Sequence, residues 1–278
     1  MKEQTPQDKY ITVNGIKVHY WDEGSGDVPI ILVHGINSNV TFWQENVFAL
    51  AKTHRVIAVD LIGFGDTDKP QINYNVAMLA QFLYDFLQSL QLKRYYLVGH
   101  SLGGAVSLQF VILFPGLVEK LVLVSPVGFT HKLPWVLRLV ALPFVDKLLL
   151  HINEKLIAKA IYLYVYDKSC ITEEFLQNNY RIAQLPGAQK VLVGLLRQNI
   201  DIHGIKKNMV KTLTANLPKL TMPILVIWGK NDKLLLVENA RAALQLMPQA
   251  RLELFDRCGH VPQLEYSERF NQLVKDFL

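Results

Sequence analysis

Tyr95-Tyr-Leu-Val-Gly99-His100-Ser101-Leu102-Gly103-Gly104-Ala105 is the run that decides the fold. An apolar strand-like segment meets Gly-x-Ser-x-Gly and passes straight into a helix-like one, the context that this motif needs. A strand turning directly into a helix holds Ser101 in strained backbone geometry and brings neighbouring chain very close, an approach that side chains at 99 and 103 would block. The hydroxyl is then presented at the carboxyl edge of a sheet. The helix N-terminus behind it adds positive dipole where an oxyanion would form, and Gly104 lets that helix pack closely on the strand. A bare Gly-x-Ser-x-Gly could equally be a glycine-rich turn; the strand before it and the helix after it favour Ser101 as a nucleophile.

Outward from this run, short apolar segments bounded by turn signals alternate with helix-length amphipathic ones, as in a largely parallel sheet covered by helices. Pro29–Val33, Arg55–Val59, Tyr95–Gly99, Lys120–Val124, Pro223–Trp228 and Arg251–Phe255 are expected as buried strands. Asn75–Leu90, Leu102–Phe114, Val237–Met247 and Ser267–Leu278 are expected as helices. Tyr10 to Tyr20 reads as an antiparallel hairpin turning at Asn14-Gly15. Residues 128–216 contain no convincing buried strand. There Leu139, Leu142 and Val145 to Leu149, then Leu156, Ile157, Ile161 and Tyr164, recur at three- and four-residue steps and define apolar helix faces. The expected organisation is a discontinuous core, 1–127 and 217–278, with a helical cap at 128–216.

A serine hydroxyl needs a base within hydrogen-bond reach, itself oriented by an acid, and in strand–turn–helix geometry the chain order is serine, acid, histidine. Only His203 and His260 follow residue 151, and His203 falls in the cap. His260, in Arg257-Cys-Gly-His-Val-Pro262, follows the strand ending near Phe255 and so shares a sheet edge with Ser101. Asp232 closes Trp228-Gly-Lys-Asn-Asp after another strand and is the expected acid, although such a turn also suits a capping aspartate. Asp256 is expected to make a local loop bond. The oxyanion hole is expected from the N–H groups of Leu102 and Ile36, with His34 pinning the His34-Gly-Ile36 loop.

Half of the 278 residues are hydrophobic and 19% are charged, which excludes charge-driven disorder. Cys170 and Cys258 are too few for a disulfide framework and match no zinc spacing; Cys170 reads as a small core or surface residue, not a functional thiol, and Cys258 as packed under its loop. The polar MKEQTPQDKYITVNG start has no secretory pattern, so a cytoplasmic protein is expected. Leu133–Leu150 is apolar but holds Arg138, Asp146, Lys147, Pro134 and Pro143, and reads as buried in a soluble protein. The net charge of +5 divides unevenly, +6 in residues 128–216 and −1 elsewhere. No nucleic acid is expected as a partner, whereas the basic cap suggests peripheral contact with anionic lipid; a monomer or dimer is expected.

His34-Gly35, Asp60-Leu-Ile-Gly63-Phe-Gly65-Asp66-Thr67, Gly99-His-Ser-Leu-Gly-Gly104, Trp228-Gly-Lys-Asn-Asp232 and Gly259-His260-Val-Pro together resemble the landmarks of the α/β-hydrolase superfamily, serine-nucleophile esterase/lipase-like branch, over nearly the whole core. The resemblance implies a mostly parallel eight-stranded sheet with helices on both faces and a cap after the sixth strand. It also implies a Ser101–His260–Asp232 triad, no cofactor and no metal, and a structural role for Asp60 to Thr67. Serine at 101 argues against the dehalogenase and epoxide hydrolase branches, which use aspartate. The expected reaction is cleavage of carboxylic esters of hydrophobic or acyl substrates, small molecules, through an acyl-enzyme. Arg257-Cys-Gly-His260 is also similar to hydrolases of carbon–carbon bonds in vinylogous diketones, but His100-Ser101 and His260-Val261 stand where that branch has Asn-Ser and His-Trp, and its glycine-rich loop is absent after Gly35. A ligand-binding receptor on the same fold is the third reading.

Overall fold

The computed structural model describes residues 5–139 and 153–278. Six strands precede the middle of the chain: β1 (Lys9–Val13), β2 (Ile16–Glu23), β3 (Ile30–Val33), β4 (Val56–Val59), β5 (Tyr95–His100) and β6 (Val118–Val124). After the two-residue pair β7 (Ile200–Asp201) and β8 (Gly204–Ile205) come β9 (Ile224–Gly229) and β10 (Arg251–Phe255). All but the short pair form one eight-stranded sheet, ordered β1-β2-β4-β3-β5-β6-β9-β10. Asn14 and Gly15, at φ 50° and 81°, close the β1–β2 hairpin with the positive angles that match strand twist. Across this sheet β1–β2 and β2–β4 pair antiparallel, and every pairing from β4 to β10 is parallel.

Both faces of this sheet are covered, so its central strands are apolar without a break. Ile31 and Val33 of β3 pack into one cluster with α2 (Val76–Ser89), α3 (Leu102–Leu113) and α9 (Glu238–Leu246). Ile30 and Leu32 face the other way, toward α1 (Gln44–Ala51) and α11 (Ser267–Phe277). The sequence reading has no helix between residues 34 and 55. α1 is only two turns long and follows a tight turn over Val40–Trp43 that Asn39 caps through Thr41 N–H; Trp43 of that turn and Leu50 of α1 are buried by tertiary packing that periodicity over so few residues does not reveal.

Between β6 and β9 the α-helices of the described chain are α4 (Trp135–Arg138), α5 (Glu154–Tyr164), α6 (Glu173–Ala183), α7 (Ala188–Asn199) and α8 (Lys207–Thr214), joined by loops and the β7–β8 pair. Asn153 and Thr172 cap α5 and α6 through Leu156 and Phe175 N–H. Ile157 and Ile161 are buried as their spacing predicts, against Phe42, Phe175, Val261 and Leu264. The apolar positions from Leu142 to Leu149 lie outside the described residues, as does most of Leu133–Leu150. No helix among the described residues is long and apolar enough to cross a membrane.

The strand order reverses at β3, whose neighbours are β4 on one side and β5 on the other. Chains leaving β3 and β5 at their carboxyl ends therefore diverge to opposite faces, and a crevice opens between them. Only bare backbone fits there. A Cβ on Gly103 would run into the carbonyl oxygens of Val33 and His34, and one on Gly99 into that of Gly103. Gly104 lets α3 close on β5 as expected, where a Cβ would come 3.2 Å from Gly99 O, and also on Pro126 just after β6, whose Cβ would lie 2.6 Å away. Gly103→Val should accordingly lower the unfolding free energy by about 3 kcal/mol or more, measured from the denaturant midpoint, whereas valine at the open Gly194 should change it far less.

Candidate active site

Ser101 sits between β5 and α3 at φ 54° and ψ −114°, a combination that costs a non-glycine residue roughly 1–3 kcal/mol. Surrounding bonds hold it there: its N–H donates to Val124 O at 2.9 Å, and its carbonyl accepts from Gly104 at 3.0 Å and Val127 at 3.2 Å. Leu102 opens α3, so its N–H has no acceptor within the helix. Across the crevice, the loop after β3 comes close because Gly35 lacks a side chain; a Cβ there would lie 3.1 Å from both His100 Nδ1 and Ser101 Cβ. His34 pins this loop, its Nδ1–H donating to Gly35 O at 2.7 Å while Nε2 accepts from Leu61 N–H at 3.1 Å. Burial lowers the His34 pKa, in keeping with that neutral tautomer. Ile36 and Leu102 both line a cavity with Ser101.

Asp232 and His260 come together from the loops after β9 and β10. Asp232 Oδ1 accepts from the N–H groups of Leu234 and Leu235, each at 2.8 Å, leaving Oδ2 to accept from His260 Nδ1–H at 2.7 Å. That bond puts the imidazole proton on Nδ1 and leaves the lone pair on Nε2. His260 Nε2 is buried with no hydrogen-bond partner, the Ser101 hydroxyl included. The main chain of His260 is held from two sides: its N–H donates to Tyr164 O at 2.6 Å, and its carbonyl accepts from His100 Nε2–H at 2.9 Å. Burial, then the neighbouring His260, hold the His100 pKa well below the ordinary histidine value. Neither the His100 bond nor the part of Tyr164 is visible in sequence, since both act across distant segments.

The other residues weighed from sequence take separate places. Asp256 pairs with Lys230 at 2.6 Å, not within its own loop, because parallel β9 and β10 set their following loops side by side. His203 is exposed on the β7–β8 turn. Cys258 is fully buried beneath the His260 loop and its thiol is pushed far up by burial; Cys170, part-buried, is pushed up to about 12. Neither is a thiolate at neutral pH. Asp60 accepts from Val40 N–H at 2.7 Å and Asp66 N–H at 2.8 Å and from His19 Nδ1–H at 2.6 Å, so it organises the loop after β4. The donor set His19, Asp60 and Asp66 is crowded enough to suggest a metal, but the other His19 nitrogen donates to Asp8 at 2.9 Å. Burial alone would lower the His19 pKa; bonding to Asp60 and Asp8 outweighs it and raises the value to about 9. An imidazolium has no lone pair to offer a cation. Asp66 is occupied by Arg181 of α6 at 2.6 and 2.8 Å, a half-exposed pair worth under about 1 kcal/mol.

The cavity above Ser101 has a volume of about 400 Å³. Its wall is mostly apolar, with Leu156, Ile157 and Ile161 from α5, Leu192, Leu195 and Leu196 from α7, and Met209 from α8. The polar residues among the described lining are Asn37, Ser101, Tyr164, Asn179 and Asn199, and none is charged. Asn179 and Asn199 interrupt apolar helix faces, the one sequence signal that could have marked them. The profile of the alpha/beta hydrolase family matches residues 30–273. The chain belongs to that family. It is 35% identical to an uncharacterized protein of Mycobacterium tuberculosis, over 98% of this chain and 81% of that one. It is 31% identical to the 2-hydroxy-6-oxo-2,4-heptadienoate hydrolase of Pseudomonas putida, over 97% and 95%. Among solved structures it is similar to a meta-cleavage product hydrolase from Pseudomonas fluorescens, with a TM-score of 0.82 and 25% identity over 97% and 96% of the two chains.

Replacing Asp232 with Asn should lower kcat by about 10³–10⁴-fold with unfolding unchanged to within about 1 kcal/mol, read by hydrolysis of a p-nitrophenyl ester. His19 gives a pH signature. Its folded pKa is raised, so its stabilisation is complete below about 6.5 and is lost as pH rises through about 9. The denaturant midpoint should fall over that window in the wild type, and this component should vanish in His19→Gln.

Proposed function

We propose that the chain is a serine hydrolase that cleaves a carbon–carbon bond beside a ketone in a diketone-type substrate. Similarity to the Pseudomonas putida heptadienoate hydrolase, sustained over 97% of this chain, is the observation that carries this reading. Support from geometry lies in the supply of parts. Ser101 Oγ attacks the ketone, and His260 Nε2 takes its proton while Asp232 stabilises the imidazolium. The oxyanion is met by the Ile36 and Leu102 N–H groups beside the positive end of α3. In the diketo tautomer, formed when the hydroxyl proton of the dienol moves to the carbon beside the ketone, collapse breaks the carbon–carbon bond; the departing carbon is stabilised by conjugation with the second carbonyl and protonated from His260. Water, activated by the same Nε2, then releases the acid from Ser101.

A second reading, hydrolysis of a carboxylic ester with an apolar acyl group, uses the same steps with an alcohol as the leaving group. The uncharged wall favours it. A dienoate carries a carboxylate, and burying that group without a cation or several donors is costly. Among the described lining only amides and hydroxyls are offered, and His100 and Val261 depart from the diketone branch. We propose further that residues 128–216 act as the cap that chooses between these substrates, because most of the cavity wall comes from there.

Purified protein should be offered 2-hydroxy-6-oxo-2,4-heptadienoate and a p-nitrophenyl ester series from acetyl to palmitoyl. The first reading expects kcat/KM for the dienoate at least about 100-fold above the best ester, and Ser101→Ala inactive on both. The opposite ratio would transfer the assignment to the ester. Turnover surviving in Ser101→Ala would remove Ser101 from the mechanism.

A further inference from the structure

We propose that Glu265 is a positioning residue that clamps the helical insert onto the loop of His260, making the insert part of the mount on which that histidine is held. The proposal rests on the reading of His260 as the catalytic base. Glu265 ends α10 (Pro262–Glu265), in the run His260-Val-Pro-Gln-Leu-Glu265. Its Oε1 accepts from Gly259 N–H at 2.8 Å. Its Oε2 accepts from Tyr166 N–H at 2.6 Å and Asp167 N–H at 3.1 Å, in the chain that leaves α5. One carboxylate therefore holds three main-chain donors from two segments, one adjoining His260 and the other belonging to the insert.

The same two segments meet directly. His260 N–H donates to Tyr164 O at 2.6 Å. Gly259 makes the contact possible: a Cβ there would run into Tyr164 O and stand 2.8 Å from Tyr166 N and 2.9 Å from Glu265 Oε1. Beneath them Val165 packs with Val261 and Leu264 in one apolar cluster. A carboxylate at the C-terminal end of α10 gains nothing from the dipole of its own helix. Burial pushes its carboxyl above the ordinary glutamate range, against the pull of the bound N–H groups. A desolvated carboxylate is retained only where its lone pairs are filled, and here backbone donors of the seam fill them.

Displacement of the chain after α5 would remove the acceptor for His260 N–H and two donors to Glu265, leaving the His100 bond to hold the His260 main chain. Misplacing a base by about 1 Å costs on the order of 10²-fold in rate. The insert thus acts on the chemistry through His260 as well as by shaping the cavity.

Amide hydrogen exchange on the wild-type protein tests the clamp without any variant. Gly259, His260, Tyr166 and Asp167 should exchange as one unit; Tyr166 and Asp167 exchanging about 100-fold faster than Gly259 and His260 would overturn it. Glu265→Gln keeps the shape but turns one acceptor into a donor facing N–H groups. In the folded variant kcat should fall about 10- to 100-fold at unchanged KM, and sulfonylation of Ser101 by phenylmethylsulfonyl fluoride should slow by the same factor. A change in KM alone, or a melting shift with unchanged kcat, would reduce Glu265 to a structural residue and overturn its positioning role. Failure of the wild type to be sulfonylated at Ser101 would sink the hydrolase reading instead, and the exchange rates would then decide for or against the clamp independently.

Discussion

Backbone against backbone at the reversal of strand order is the contact on which the rest of the structure depends. The first turn of α3 lies on the carbonyls of Val33 and His34, and Gly103 has no Cβ to keep them apart. Across this close approach, Ser101, Leu102 and Ile36 line one cavity. A strained φ of 54° persists only where its surroundings over-determine it. Bonds to Val124, Gly104 and Val127 do so here, from three directions.

The polar groups behind the site differ in what they leave unpaired. Asp232 spends one oxygen on two backbone N–H groups and keeps the other for His260. His34 spends both nitrogens on backbone and is a strut. His260 spends Nδ1 on Asp232 and keeps Nε2. Glu265 spends both oxygens and, like His34, has none left for chemistry. His100 donates from Nε2 to the His260 carbonyl and leaves Nδ1 buried without a partner.

Strand and helix positions were legible in the sequence within two residues for most of the sheet and its long helices, because the signals were local, though β2 runs three residues past the expected Tyr20. Asn75 caps α2, Asn14-Gly15 closes the hairpin, and doubly covered strands are apolar throughout. α1 was not legible, since two turns offer no period to read. Glu265 was hidden for another reason: two of its three backbone donors, Tyr166 and Asp167, lie about a hundred residues upstream, on a segment whose own pattern speaks only of helix faces. Asp256 was misplaced because adjacency of two loops after parallel strands is a property of the sheet, not of either loop.

Sequence by itself determined the order of elements, the glycines that permit close approach, and the chemical types available: one serine at a strand-to-helix turn, with an aspartate and a histidine following it. Tertiary structure alone decided which atoms of those residues stay unpaired, that the cavity wall is uncharged among its described residues, and that the histidine is held partly by the insert. The physical reason is range. Backbone sterics and hydrogen bonds within a turn are written into neighbouring residues, whereas charge inside a cavity and the pairing of a buried polar atom depend on segments that meet only after the chain has folded.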